Sequence, residues 1–404
     1  MNELGQIKTS NKQVDFTEKL LHFFNANIKI DKPVAIWRTP NSSIIQAICQ
    51  LDNKKNNIEN LENAPQGFIF NPFQESEENK NHFIKADISF DSDQSEIKLN
   101  PERTNSSASF EKLLTTIKEI NESKFYYSDY LNKSPKVASS KDQFVQLIEK
   151  SKKSISDGYY QKIVPSRQEK FKLKKNFHPV KELLKLCNEY ENAFVSLVYI
   201  PDSGLWLGAS PELLISVKEQ KIFETISLAG TQEIPENFNL AKATWTQKEI
   251  EEQALVSRYI INCFKQIRLR EFDEFGPKTV KAGNLMHLKT TFEVDMEDVN
   301  FPQLGSVMLD LLHPTSAVCG MPMIPAAKFL KENEHYDRQY FSGYLGPVNI
   351  GNQIGVYVNL RCMRIYKDTG VLFAGAGVTE DSDAESEWNE TKIKFQTLLN
   401  VIGK

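Results

Sequence analysis

The chain has 404 residues and a formal net charge of −4, with 40% of its residues hydrophobic and 25% charged. That balance excludes a disordered chain and a broadly basic nucleic-acid or anionic-membrane surface, and it leaves ample length for a substantial core. No apolar run approaches the ~18–20 residues of a membrane span, and Met1-Asn2-Glu3-Leu4 opens no signal peptide, so neither membrane nor nucleic acid is expected as a partner. Cys49, Cys187, Cys263, Cys319 and Cys362 are scattered with no CxxC pair, which predicts free buried thiols in a cytoplasmic protein.

Residues 1–137 show no catalytic spacing and read as a part that completes a scaffold. Phe16 to Phe24 predicts a short helix, and Val34–Arg38 and Ser43–Cys49 predict strands joined through Thr39-Pro40-Asn41. Asp52–Asn63, Gln74–Asn81 and Asp91–Ser109, rich in Asn, Lys, Glu and Ser, read as exposed loops.

Residues 138–404 carry sharper signals. Ser140 and Gln143 suit a capped helix start with Phe144, Leu147 and Ile148 inward, ending near Asp157-Gly158. Tyr160–Arg167 reads as a strand on which Lys162 and Val164 share a face. Lys162 is then either an edge lysine in water or an ammonium beside apolar residues. After a helix from His178 to Tyr190, the stretches Ala193–Ile200, Leu205–Ala209, Leu213–Val217 and Lys221–Ile226 predict an antiparallel meander. Within it, Gly208-Ala209-Ser210-Pro211-Glu212 is either a tight turn with an exposed acid or a place where a ligand approaches a carboxyl of raised pKa.

Thr246 and Glu249 fit a capping box, and Val256, Tyr259, Ile260, Cys263 and Ile267 mark the apolar face that follows. Counted back at about 100° per residue, that face includes Glu249 and Glu252. Leu285–Lys289 predicts a short strand whose His287 is either a hydrogen-bonded core residue or a ligand. His313-Pro314-Thr315 opens a loop of small residues, and Pro325 suits the start of a helix over Ala326–Glu332. Ile354–Tyr366 and Val371–Gly375 read as a hairpin with Arg361 at a strand centre, where a guanidinium wants a carboxylate. Ala374-Gly375-Ala376-Gly377 exposes backbone N–H groups that suit an anion.

The terminal helix starts at Asp383, with Trp388, Phe395, Leu399 and Ile402 on one stripe and Glu387, Glu390, Lys394 and Leu398 on the next. That second stripe is either a solvated helix start or a charged row directed inward. Two helices that each present Glu-x-x-Glu inward gather four carboxylates, which is costly unless a cation compensates. Hard oxygens without nearby Cys or His point to magnesium.

Taken together and in this order, Lys162, Gly208–Glu212, Glu249/Glu252, His313-Pro314-Thr315, Arg361, Ala374–Gly377 and Glu387/Glu390 resemble the chorismate-utilising enzymes. These are the isochorismate, salicylate, anthranilate and aminodeoxychorismate synthases, and isochorismate synthases are the nearest. The resemblance runs from about Ser140 to the C-terminus. It implies an α+β fold, with a single large domain over 1–404 in which two stacked antiparallel β-sheets are flanked by helices around an active-site cleft.

By the same resemblance, Lys162 matches a water-activating base and Glu212 the acid that protonates the departing C4 hydroxyl. Glu252 and Glu390 match direct Mg2+ ligands, with Glu249 and Glu387 reaching the ion through water. Arg361, Gly375, Gly377 and Lys394 match groups that bind substrate carboxylates, and Thr231 and His287 line the cleft. Apolar Ala317 and Phe341 favour stopping at isochorismate over releasing pyruvate. The implied substrate is the small molecule chorismate, and the implied protein is a monomer with no obligatory amidotransferase partner. Alternatives are a salicylate synthase, an aminating relative and a non-catalytic chorismate-binding protein.

Overall fold

Side chains that alternate along the central strands build two stacked sheets in the computed structural model, which describes residues 3–403 apart from 95, 101–106, 121–124, 126–130, 132–138, 235–238 and 283–284. The N-terminal part gives α1 (Glu3–Lys29), β1 (Val34–Arg38), β2 (Gln46–Cys49), β3 (Gly67–Asn71), β4 (His82–Lys85), β5 (Ile88–Asp91), β6 (Lys98–Leu99) and α2 (Ser107–Glu119). Next come α3 (Lys141–Ser156), β7 (Lys162–Ile163), β8 (Ser166–Lys172), α4 (Pro179–Glu189), β9 (Phe194–Ile200), β10 (Gly204–Ser210), β11 (Leu213–Lys218) and β12 (Ile222–Glu233). The chain continues through α5 (Gln247–Gln266), β13 (Asp273–Ala282), β14 (Leu285–Asp295), α6 (Leu304–Leu312), β15 (Gly320–Met321) and α7 (Met323–Asn333). It ends with β16 (Tyr344–Val348), β17 (Gln353–Val358), β18 (Cys362–Ile365), β19 (Thr369–Gly375) and α8 (Ala384–Ile402).

The larger sheet has nine strands in the order β6-β5-β2-β1-β9-β10-β18-β19-β8, and the other has eight in the order β13-β14-β12-β11-β17-β16-β3-β4. The pairings within both are antiparallel. Along β1, Val34 and Ile36 face α1 and α4, while Ala35 and Trp37 face the opposite sheet, as a two-residue period requires. β9 repeats the device with Val195, Leu197 and Tyr199 against Phe194 and Val198. Between the sheets, Phe194 stacks on Tyr357 with centroids 4.1 Å apart, a contact that adds about 0.5–1.5 kcal/mol beyond area burial. The outer face of the eight-stranded sheet packs on α5 and α6.

Residues before 137 supply strands to both sheets, since β1 pairs with β9 and β3 with β16. The boundary drawn at 137/138 lies outside the described residues. The helix predicted at Phe16–Phe24 runs over Glu3–Lys29, in a segment with no proline before Pro33. The second strand begins at Gln46 rather than Ser43 because the Ile44 and Ile45 N–H groups donate to the Ser42 and Ser92 hydroxyls. The capped start at Ser140 forms as expected, with the reciprocal Gln143 bond.

Three other expectations are corrected. The Tyr160–Arg167 strand is broken at Val164-Pro165, and β7 pairs with β15 while β8 joins the nine-stranded sheet. The meander is split, with β10 in one sheet and β11 in the other. The hairpin over Ile354–Gly375 is likewise three strands, of which β18 pairs with β19 and β17 belongs to the opposite sheet. α7 starts at Met323, which places Pro325 in its first turn, where no intrahelical N–H is needed. All five cysteines are free and buried. Among the described residues no helix is long and apolar enough to cross a membrane.

Candidate active site

Two places where the chain passes from one sheet to the other frame a cavity. At the first, Ser210-Pro211-Glu212 connects β10 to β11. The Ser210 hydroxyl donates to the Val358 carbonyl at 2.5 Å, and the Val358 N–H donates to the Glu212 carbonyl at 3.0 Å. These bonds fix the crossing against the end of β17. The Glu212 side chain is buried, and burial pushes its carboxyl up to about 7 against the opposing pull of Lys162, Arg361 and Lys394.

At the second crossing, Asn359-Leu360-Arg361 connects β17 to β18. Arg361 is not at a strand centre as expected: its φ is +47°, and its carbonyl accepts from the Ala209 N–H at 3.1 Å. Left-handed backbone at a non-glycine residue is uncommon, and here the turn between sheets imposes it. Burial lowers the Arg361 guanidinium to about 10, while Glu390 and Glu212 pull it back up. Glu212 and Arg361 are thus carried to one cavity by neighbouring crossings.

A bulge supplies the next wall. The register of β12 against β14 shifts between Ala229 and Gln232, which turns Gly230 and Thr231 out of the ladder. His287 Nδ1 lies 2.8 Å from the Gly230 carbonyl and 3.3 Å from Thr231 Oγ1. Burial lowers this imidazole to about 3, so it is neutral, and donation from Nδ1 to the carbonyl leaves Nε2 as a bare acceptor. Nε2 is buried with no partner.

The two acid pairs come from α5 and α8. Thr246 and Glu249 cap α5, and Glu249 also accepts from Gln232 Nε2 at 2.8 Å. One turn on, Glu252 Oε1 accepts from Lys162 Nζ at 2.8 Å. Burial would raise the Glu252 carboxyl, but Lys162, Lys394 and Lys248 outweigh it and hold it below the usual range. Asp383 caps α8 through the Ser386 N–H. Lys394 Nζ then pairs with Glu390 at 2.6 Å and donates to the Gly375 carbonyl at 2.8 Å, while buried Glu387 faces Lys248 at 3.4 Å. Each of these acids therefore has its own cationic or hydrogen-bonding partner. Among the described residues no three His, Cys, Asp or Glu side chains converge on a metal position. Glu252 and Glu390 nevertheless line one cavity from two helices, and their hard oxygens suit an oxygen-seeking divalent ion.

A sequence model described as chorismate binding enzyme matches residues 7–403. The chain belongs to the chorismate binding enzyme family. It is 31% identical over 211 residues to isochorismate synthase EntC of Escherichia coli (strain K12), which is 51% of this chain and 53% of that one. It is 30% identical over 203 residues to isochorismate synthase DhbC of Bacillus subtilis (strain 168), covering 49% of this chain and 50% of that relative. The chain thus spans about half the length of these curated relatives. Among solved structures it is similar to MenF, the menaquinone-specific isochorismate synthase from Escherichia coli, with a TM-score of 0.73, 20% identity and coverage of 94% and 91% of the two chains. Anthranilate synthase component I from Streptococcus pneumoniae gives 0.64 at 19% identity, covering 90% and 89%. At such identities the likeness is one of fold.

In this chorismate binding enzyme, most of the residues singled out from sequence meet at one cavity. Glu212, Glu252 and Glu390 line it, as do Arg361 and Lys394. So do Thr231, His287, Ala317, Phe341, Gly375 and Gly377. Lys162 is buried behind the wall, reaching the cavity through Glu252 and Gly377. Glu249 and Glu387 are not among the lining residues. The Ala376 N–H of the small-residue loop is already taken up by the Pro165 carbonyl. Sequence reading missed Ser166 and Arg338, which line the same cavity beside Val164. No periodic signal marked Arg338, because Glu334–Arg338 lies in an irregular segment beyond the end of α7.

Proposed function

We propose that this protein is a magnesium-dependent isochorismate synthase that interconverts chorismate and isochorismate. The observation that carries the reading is one cavity in which Glu212, with its carboxyl raised to about 7, lies within electrostatic reach of Lys162 and beside Arg361 and Lys394. Relatives named isochorismate synthase at 25–32% identity support it.

Chorismate is a dianion, and Arg361 and Lys394 would hold its carboxylates, while Arg338 is already paired with Glu334. Glu212, protonated near neutrality, gives its proton to the C4 oxygen as the C4–O bond breaks and water leaves. A second water forms the C2–O bond while both ring double bonds shift towards C4, and Lys162 takes its proton. Lys162 must be a free amine disengaged from Glu252 to do so. His287 Nε2, the bare acceptor, is placed to receive a hydrogen bond from substrate hydroxyl or water. Glu252 and Glu390 would hold Mg2+, with Glu249 and Glu387 supporting through water. The ion would supply charge neutralisation at the ring carboxylate. No ammonia-supplying subunit enters this chemistry.

Incubation of the purified protein with chorismate and Mg2+, followed by chromatography, tests the reading. Isochorismate as the sole product is expected. Salicylate plus pyruvate would replace it with a lyase reading, and no turnover would overturn it.

A further inference from the structure

One buried ion pair, with Arg338 in the cavity wall and Glu334 beside it, has a role that the reaction above does not use. Arg338 and Glu334 lie 2.6 Å apart in the irregular segment that follows α7, each with 3% of its side chain exposed. The hydrogen bonds of this pair reach two separate segments of the cavity wall, one at Val164 and Ser166 and one at Val318. Arg338 Nη2 donates to the Val164 carbonyl at 2.6 Å, and Nη1 donates to the Val318 carbonyl at 2.8 Å. Its guanidinium lies 4.4 Å from the Phe73 ring centroid and 5.8 Å from that of Phe341. Glu334 Oε1 accepts from both the N–H and the hydroxyl of Ser166 at 2.8 Å, and that hydroxyl is 2.6 Å from the Tyr336 hydroxyl.

We infer that Glu334 and Arg338 are positioning residues that set the width of the cleft. They tie the strand carrying Lys162, through Val164 and Ser166, to the loop carrying Ala317 and to Phe341. Val164-Pro165 is where the chain leaves β7 for β8, so the Val164 carbonyl has no regular sheet to hold it in place. A planar guanidinium with several donors in fixed directions can hold two carbonyls and a carboxylate at once, which a point charge cannot. A buried ion pair contributes little net stability against an apolar pair, so its hydrogen bonds to cavity walls are its distinctive effect here. The inference deepens the proposed isochorismate synthase reading and partly rests on it.

The test uses the full chain carrying Glu334→Gln together with Arg338→Met, which removes both charges and strands neither. Circular dichroism checks folding. Hydrogen–deuterium exchange of the ligand-free protein is expected to rise together in 162–167 and 313–319 and to stay unchanged in β9 and β10. Chorismate turnover is expected to lose at least about 10-fold in kcat with KM changed less than about 3-fold, because a displaced wall misaligns groups needed in the transition state. Unchanged exchange in either segment, or unchanged kcat, overturns the inference. Should the double variant fail to fold, Arg338→Lys keeps the charge opposite Glu334 but cannot bridge both carbonyls, and the same paired rise in exchange is expected. Wild-type protein that leaves chorismate untouched sinks the functional reading, and the exchange result still decides the positioning role.

Discussion

Lys162 Nζ and Glu252 Oε1, 90 positions apart in the chain, meet at 2.8 Å with the lysine side chain only 2% exposed. The short strand β7 buries an ammonium, and the first turns of α5 bring the carboxylate that makes this tolerable. Removing one partner of such a pair leaves an uncompensated buried charge, at a typical cost of about 3–5 kcal/mol. The proposed base and a proposed metal ligand are therefore coupled before any substrate arrives.

Replacing the amine tests that coupling. Lys162→Ala is expected to lower kcat for chorismate by about 10²–10⁴-fold, the usual range for loss of a general base. Lys162→Ala with Glu252→Gln should restore thermal stability without restoring turnover. Thermal melts and product chromatography measure both, and near-normal turnover in Lys162→Ala would remove that residue from the mechanism.

Gly377 has no side chain for a reason that can be read in ångströms. A Cβ there would stand 2.9 Å from Lys162 Cε and 3.1 Å from Glu252 Oε1. Gly377→Ala should push the Lys162–Glu252 pair aside and cut kcat at least about 10-fold, since small displacements of reacting groups carry large rate penalties. A variant with wild-type kinetics would show that the pair has room to spare.

Glu212 gives a pH dependence with a definite sign. Its carboxyl sits at about 7 when folded against an ordinary 4.5, so the folded state binds the extra proton between those values. Its contribution to stability is complete below about 4.5 and is lost as pH rises through about 7. Glu212→Gln is therefore expected to raise the melting temperature relative to wild type at pH 8 and to change it little at pH 4. Because the proposed acid must be protonated, kcat should also fall as pH rises through about 7. A wild-type profile flat from pH 6 to 8 would reject that role.

The four acids should separate in a divalent-ion titration. Glu252→Gln and Glu390→Gln, at the cavity, are expected to abolish the Mg2+ dependence of turnover. Glu249→Ala removes the reciprocal half of a capping box and should cost about 1 kcal/mol of stability. Its effect on Mg2+ affinity should be the smaller one. A loss from Glu249→Ala equal to that from Glu252→Gln and Glu390→Gln would place Glu249 in direct contact with the ion.

Sequence periodicity alone placed Glu249 and Glu252 on the apolar stripe of α5, and Glu387, Glu390 and Lys394 together on the stripe beside the apolar one of α8. Helical spacing is local, and the caps at Thr246 and Asp383 set its phase, so which side chains share a face can be counted from the residue types. Sheet membership could not be counted in this way. Ser210-Pro211-Glu212 reads in sequence as a turn within one meander and Asn359-Leu360-Arg361 as the middle of one strand, yet at both the chain changes sheets. Alternation records which residues face away from each other, and it carries no information about which strand lies alongside. The left-handed backbone at Arg361, the burial of Lys162 in a two-residue strand and the Arg338 brace all depend on partners distant in sequence. Long-range pairing decided them, and with them the shape of the cleft.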